Sequence, residues 1–584
     1  MSVDDFTPPR GIPAHGNGAA PPARDDTTRY LCAAMHMDPD YTNKAIREYL
    51  VEDTRPVPAS PGVGAGEVLG EAVAARTRRK LRDIALILLL IGFLLVAPVE
   101  LLGIWLVVAV LCSMPALARV LKGSGQSAAP TLYLVGGALA IGLLLVFGKD
   151  LLAALEDLVD PGPSYDDYGY VYAAESGGSV AGGLAIIVAM LGVLLADRLV
   201  VWKHLNERFW PNRLNRTAAP PLAERSVFQF SPDRFLAQLA RYLNPRSTIA
   251  NSATDEPQRM PGGPVPLIVY RDFKPFVGAG VPEDPWSIAV PLERLPDAEP
   301  TAELTTDSLY AGIHDEIESL RAAASLAPGR RLRELAVSEL VIVSADELID
   351  HLNEPAAADF LRAPGLAPYT LVRRERAQAI KLDPLEWARY YQCYQVETWD
   401  RDLVVSVFIH VAVGRGALYV EWTPCVLRPL KKRYREIDQL PRSPLRPAGM
   451  ALLDLSRLPV SIFGRIQHTL SCIRPLPRNR GAISPDMYGV STTLRELAAD
   501  RVVHNYFQLA DIDRYLKMME SRLVLAVSRM MRTAGYSPAS FDQQAATVVN
   551  NSVQIGGSVG GNVVAGSGNR VGADLAAARP GRTK

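Results

Sequence analysis

Few residues are suited to chemistry, and they are scattered. Cys32 and His36 stand four apart, which on a helix puts a thiol and an imidazole on one face at a spacing a metal ion can use. No second ligand pair lies near them in the chain, so ordinary packing is the plainer reading. His314-Asp315-Glu316-Ile317-Glu318 repeats the spacing with His314 and Glu318 but lacks HExxH, and an acidic solvated helix face accounts for it as well. Phe276-Val277-Gly278-Ala279-Gly280 offers a GxG after a strand. No third glycine follows, however, and Pro282 interrupts the helix a dinucleotide cradle would open, so a turn with close backbone approach is favoured. Neither GxxxxGK[ST] nor GxSxG occurs, and His410 reads as a packed or surface histidine. Cys32, Cys112, Cys393, Cys425 and Cys472 form no CxxC pair, which argues against a disulfide framework or a zinc cage. The sequence therefore assigns no catalytic residue, no cofactor and no metal.

Two other sets suggest contacts instead. Lys431, Lys432, Arg433 and Arg435, with Arg428, form the densest basic cluster of the polar part, able to touch anionic lipid headgroups; a solvated turn is the simpler alternative. Val553-Gln554-Ile555-Gly556 lies in residues 543–569, which carry no charge and no proline, a composition that stacks into cross-β unless its glycines keep it flexible.

The elements that must position these residues begin with a membrane layer. Hydrophobic runs at residues 84–99, 101–117, 132–147 and 180–196 predict four spans, with Pro98-Val99-Glu100 as the hairpin between the first two. Three spans, with the first two merged, is the rival count. Arg76, Arg78, Arg79, Lys80 and Arg82 precede the first run and Lys203, Arg208, Arg213 and Arg216 follow the last, while residues 149–179 are acidic. That distribution places both termini in the cytoplasm and the acidic loop outside a plasma membrane. Apart from Asp197 and Arg198 near the inner end, the runs lack ionisable groups, so an anchor or small bundle is expected rather than a channel. Gly137, Ala138, Gly142, Ala185, Ala189 and Gly192 would let these helices approach closely.

At 584 residues the chain exceeds what one core usually organises, and its 62 basic and 62 acidic residues balance, leaving no global field to attract nucleic acid. The expected organisation is a disordered segment 1–27, a small helical unit 28–54, a linker with a basic juxtamembrane stretch 55–82, the four-span region 83–202, a juxtamembrane helix and linker 203–264, an α+β cytoplasmic domain 265–540 and a Gly/Asn-rich tail 541–584. Within the domain, strands are predicted at 266–270, 287–292, 340–343, 390–398, 403–413 and 417–423, the last three as an antiparallel meander. A helix over 307–325 with Asp307 as its N-cap and another over 513–534 ending at Gly535 complete it.

Tyr30-Leu31-Cys32-Ala33-Ala34, residues 275–280 with Trp286-Ser287, and Tyr506-Phe507-Gln508 with Tyr515, Lys517 and Glu520 resemble a family of uncharacterised actinobacterial multi-pass membrane proteins. That resemblance implies membrane location and no known activity. Val553-Gln554-Ile555-Gly556 resembles the core tetrad of RIP homotypic interaction motifs and bacterial amyloid-signalling tails, although Val559 stands where those motifs carry Asn. The functional expectation is a membrane-anchored interaction or signalling protein with the bilayer and a protein partner or second copy as its contacts. A membrane-tethered enzyme is the alternative, and a transporter ranks third.

Overall fold

The computed structural model describes residues 26–51, 54–56, 63–123, 180–210, 263–296, 299–414, 416–440, 443–473 and 485–551. The expected span at 132–147, the acidic loop, the segment 1–25, the linker 244–262 and the tetrad 553–556 lie outside the described residues.

Alternation along β7 (Leu403–Gly414) organises the larger core. Leu403, Val405, Val407, Ile409 and Val411 point into one apolar cluster, while Phe408 joins a second on the opposite face with Phe276, Leu340, Tyr391 and Cys425. Both faces of the meander are therefore covered. β6 (Ala388–Thr398), β7 and β8 (Ala417–Leu427) pair antiparallel, as expected. With β1 (Val265–Tyr270), β2 (Val281–Pro282), β4 (Ala336–Ser344) and β5 (Leu371–Val372), the sheet runs β2-β8-β7-β6-β4-β1-β5, and β3 (Trp286–Pro291) also pairs with β8. β1 and β4 run parallel, Leu267 opposite Val341, so the sheet of this α+β domain is mixed.

Helices cover the sheet. α6 (Thr306–Glu318) is capped by a box between Thr305 and Ser308, not by Asp307, whose carboxylate instead meets Lys381 at 2.6 Å. α10 (Tyr506–Thr533) starts at an Asn505 cap, buries Tyr515, Met519, Leu523 and Val527, and stops before Gly535 at φ 76°. α11 (Ala539–Asn551) buries Phe541 and Ala545 in the same core. The tail expected from residue 541 thus opens inside a helix.

The second part is helical. α1 (Asp26–Met37), α2 (Pro39–Ile46), the first half of α3 (Ala65–Val96), the end of α5 (Val180–Arg208) and α9 (Leu494–Ala498) share a core containing Leu31, Tyr49, Leu69, Leu205, Tyr434 and Leu494. Segments separated by hundreds of residues therefore complete the unit that the sequence confines to residues 28–54. A smaller apolar cluster joins the second half of α3, α4 (Val99–Gly123), α5, α7 (Leu445–Ser456) and α8 (Leu458–Ile473) through Leu86, Phe93, Trp105, Met190, Leu194 and Leu455.

This arrangement corrects the four-span bundle. Among the described residues one helix, Val180–Arg208, is long and apolar enough to cross a membrane. The run starting at residue 84 is the outer half of α3, whose inner half carries buried Glu71, Arg79 and Asp83 and belongs to the helical unit. The apolar stretch of α4, Leu101–Ser113, is similarly short. At 1.5 Å per residue such stretches reach about 20 Å, against roughly 30 Å of hydrocarbon. The break at Ala97-Pro98 is present, and Phe93 meets Trp105 across it, ring centroids 5.2 Å apart. Close packing comes from Gly183, where a Cβ would lie 2.8 Å from Leu101 Cδ2. Gly192 has no neighbour within 4 Å of such a Cβ.

Candidate functional site

Asp38 ends α1 and caps α2, accepting from Asp40 N and Tyr41 N, and this turn fixes His36 in the last turn of α1. α3 carries Glu71 on its buried half, and α5 delivers His204 near its end. The three meet in the helical unit. His36 Nε2 lies 2.9 Å and His204 Nε2 3.1 Å from the same oxygen, Glu71 Oε2. Arg208 approaches Glu71 Oε1 at 3.4 Å. His36 and Glu71 side chains are 1% exposed, and His204 11%. Burial lowers the His36 pKa to about 4 despite the adjacent carboxylate. For Glu71, burial acts upward, but hydrogen bonds from His204 and His36 outweigh it and hold the pKa below the ordinary carboxylate range. At neutral pH the cluster is therefore a neutral His36 imidazole beside an ionised carboxylate. Cys32 is buried one turn before His36, its thiol pKa raised by burial, and does not belong to this group of three. Spacing gave His36 but not its partners, since Glu71 is 35 residues away and His204 a further 133.

Other sequence candidates have structural partners. His314 pairs with Glu318 at 3.1 Å on a half-exposed face. His410 donates from Nδ1 to Tyr390 O at 3.0 Å and is buried. Gly278 N and Gly280 N donate to Glu496 Oε1 at 2.9 and 3.0 Å, so the GxG turn holds a carboxylate of its own chain where a nucleotide cradle would hold phosphate. Within the basic cluster, Arg433 pairs with Asp38 and Lys431 Nζ donates to Leu497 O at 3.0 Å, fastening the turn to the helical unit, while Arg435 pairs with Asp402 beside β7 of the sheet domain.

Near the end of the sheet, Trp286 stacks on Trp422 (centroids 6.1 Å, 17° between planes) and donates from Nε1 to Glu520 Oε1 at 2.8 Å. Asp513, Lys517, Glu283 and Asp284 are the other charged residues lining this cleft, and burial raises the Glu520 pKa. All but Glu283 and Asp284 of its lining falls in one matched segment. Residues 285–564 match the AbeC-like domain. That domain defines an uncharacterised bacterial family. No curated protein and no solved structure matches the chain. The AbeC-like segment runs from β3 through α11 and extends over Val553-Gln554-Ile555-Gly556, whereas the His36–Glu71–His204 cluster and helices α1–α5 precede it.

Among the described residues, the apolar helices leave large apolar side chains exposed. Leu88 and Leu95 of α3, Val188 of α5, Leu445 and Leu452 of α7 and Phe463 of α8 are all more than half exposed. Only 11% of the most apolar 18-residue stretch of α5 is buried, the opposite of a soluble core helix. At the inner edge runs a belt of ion pairs. Arg78 and Arg82 meet Asp197, Arg465 meets Asp83 at 2.7 Å, and Arg198 Nε meets Asp454 at 2.8 Å.

Proposed function

We propose that this protein is a membrane-anchored interaction or signalling protein, held by α5 and the apolar halves of its neighbours, with the sheet domain presented on the cytoplasmic side. The observation that carries the reading is the set of exposed large apolar side chains shared by α3, α4, α5, α7 and α8, a grouping that marks interaction or membrane surfaces. α5 reaches deepest into the bilayer. The shorter stretches dip into one leaflet beside it, with the ion-pair belt at headgroup level. Lys203 and Arg208 at the end of α5 favour the cytoplasmic side for that end. The helical unit and the sheet domain follow on the same side. Assembly through the uncharged tetrad Val553-Gln554-Ile555-Gly556 is compatible with this reading on composition alone.

A fluorophore attached at Leu95, Val188 or Phe463 of the reconstituted chain is expected to be quenched by brominated lipid acyl chains, while one at Phe273, 94% exposed beside the sheet, is not. Equal insensitivity at all four positions sinks the proposal. The second reading, a membrane-tethered enzyme, is favoured by one feature, the cleft that sets Asp513, Lys517 and Glu520 beside paired tryptophans.

A further inference from the structure

We infer that His36, Glu71 and His204 form a binding site for one divalent transition-metal ion of the zinc class. Their elements approach from three directions, and their ligand atoms lie within 4.8 Å of one another. The two imidazole Nε2 atoms stand 2.9 and 3.1 Å from the carboxylate oxygen. A tetrahedral ion with bonds of about 2.0–2.1 Å needs donor atoms about 3.3 Å apart, so each imidazole need move only a few tenths of an ångström from the Glu71 oxygen, with the two Nε2 atoms, within 4.8 Å of each other, adjusting to the same separation. Two imidazoles and one carboxylate are a donor set that zinc accepts, with a fourth position left for water.

The surroundings support a cation in place of a plain hydrogen-bonded trio. Arg208 sits on the far oxygen of Glu71, which favours one-oxygen ligation through Oε2. The ion would tie residues 36, 71 and 204 together and couple the helical unit to the apolar layer.

The test uses the full chain purified in detergent without chelators. Elemental analysis is expected to find about one zinc-class ion per chain. After chelation, cobalt(II) should restore one equivalent with visible ligand-field bands, and zinc should displace it. Glu71→Gln preserves an oxygen acceptor but is a poor metal ligand. It and His204→Gln should each weaken cobalt binding at least about 100-fold, while His410→Gln, in the sheet domain, should leave it unchanged. Wild-type chain that takes up less than a tenth of an equivalent overturns the inference. So does cobalt binding that the Glu71 and His204 variants leave intact while circular dichroism shows them folded.

Discussion

Arg82 of α3 and Asp197 of α5 pair at 3.1 Å, with side chains 20% and 7% exposed. The same carboxylate also receives Arg78. One acidic group thus compensates two guanidiniums at the inner edge of the apolar layer. Asp197→Asn removes that charge while keeping the shape, taking the counter-ion from Arg78 and leaving Arg82 with Asp83 alone, 2.8 Å away. It is expected to cost about 3 kcal/mol, read as a lower unfolding midpoint of the detergent-solubilised chain. An unchanged midpoint would mean that the belt is decorative.

The GxG turn gives a second prediction. Gly280 has φ 95°, and a Cβ there would lie 2.2 Å from Val426 O. Gly280→Ala should cost about 3 kcal/mol from strain and collision together. Glu496→Ala should cost about 2 kcal/mol by stranding the N–H groups of Gly278 and Gly280. Because both changes break one contact, the double variant should lose clearly less than the sum, and additive losses would contradict the shared site.

His410 makes the stability of the sheet domain pH-dependent. Burial lowers its pKa, the Tyr390 carbonyl and Glu421 act in the opposite direction, and Arg389 adds to the lowering. The folded state therefore binds this proton less readily than the unfolded chain. Its neutral form contributes full stability above about pH 6.5, and that contribution falls as the pH drops below it. Denaturation midpoints measured between pH 7 and 5 should fall with a slope of at most about 1.4 kcal/mol per pH unit from this group. His410→Gln should flatten that part of the profile. A profile identical to wild type would remove His410 as its cause.

What the sequence disclosed follows range of interaction. The meander was legible because Leu403 to Val411 alternate with period two and Gly416 and Asp400 punctuate the run. The parallel pairing of β1 with β4 was not, since nothing local to residues 265–270 specifies Val341 as the neighbour of Leu267. Hydropathy marked the apolar stretches of α3, α4 and α5 but could not tell that α3 continues from a buried polar half into an apolar one, which is why runs were counted as spans. The clearest miss was the partnership of His36 with Glu71 and His204. Its only local trace, Cys32 four residues before His36, pointed to the wrong neighbour.

Gly183 tests the packing of the apolar layer. Ala97 Cβ and Leu101 Cδ2 would lie 2.9 and 2.8 Å from a side chain there, so Gly183→Leu should separate α5 from the α3–α4 break. Lower unfolding temperature in detergent is the expected result, whereas Gly192→Leu, with open space around it, should be nearly neutral. Equal effects at the two positions would contradict the helix arrangement.

Membrane anchoring through this layer is tested most directly by flotation of the full chain. Membranes from cells expressing it are washed at alkaline pH, which strips proteins held by charge alone, and are then floated on a density gradient. The exposed apolar surface around α5 predicts that the chain stays with the floated lipid after the wash, and that Leu184→Glu with Val188→Glu reduces the floated fraction. Recovery of the wild-type chain in the soluble fraction after washing would contradict the account.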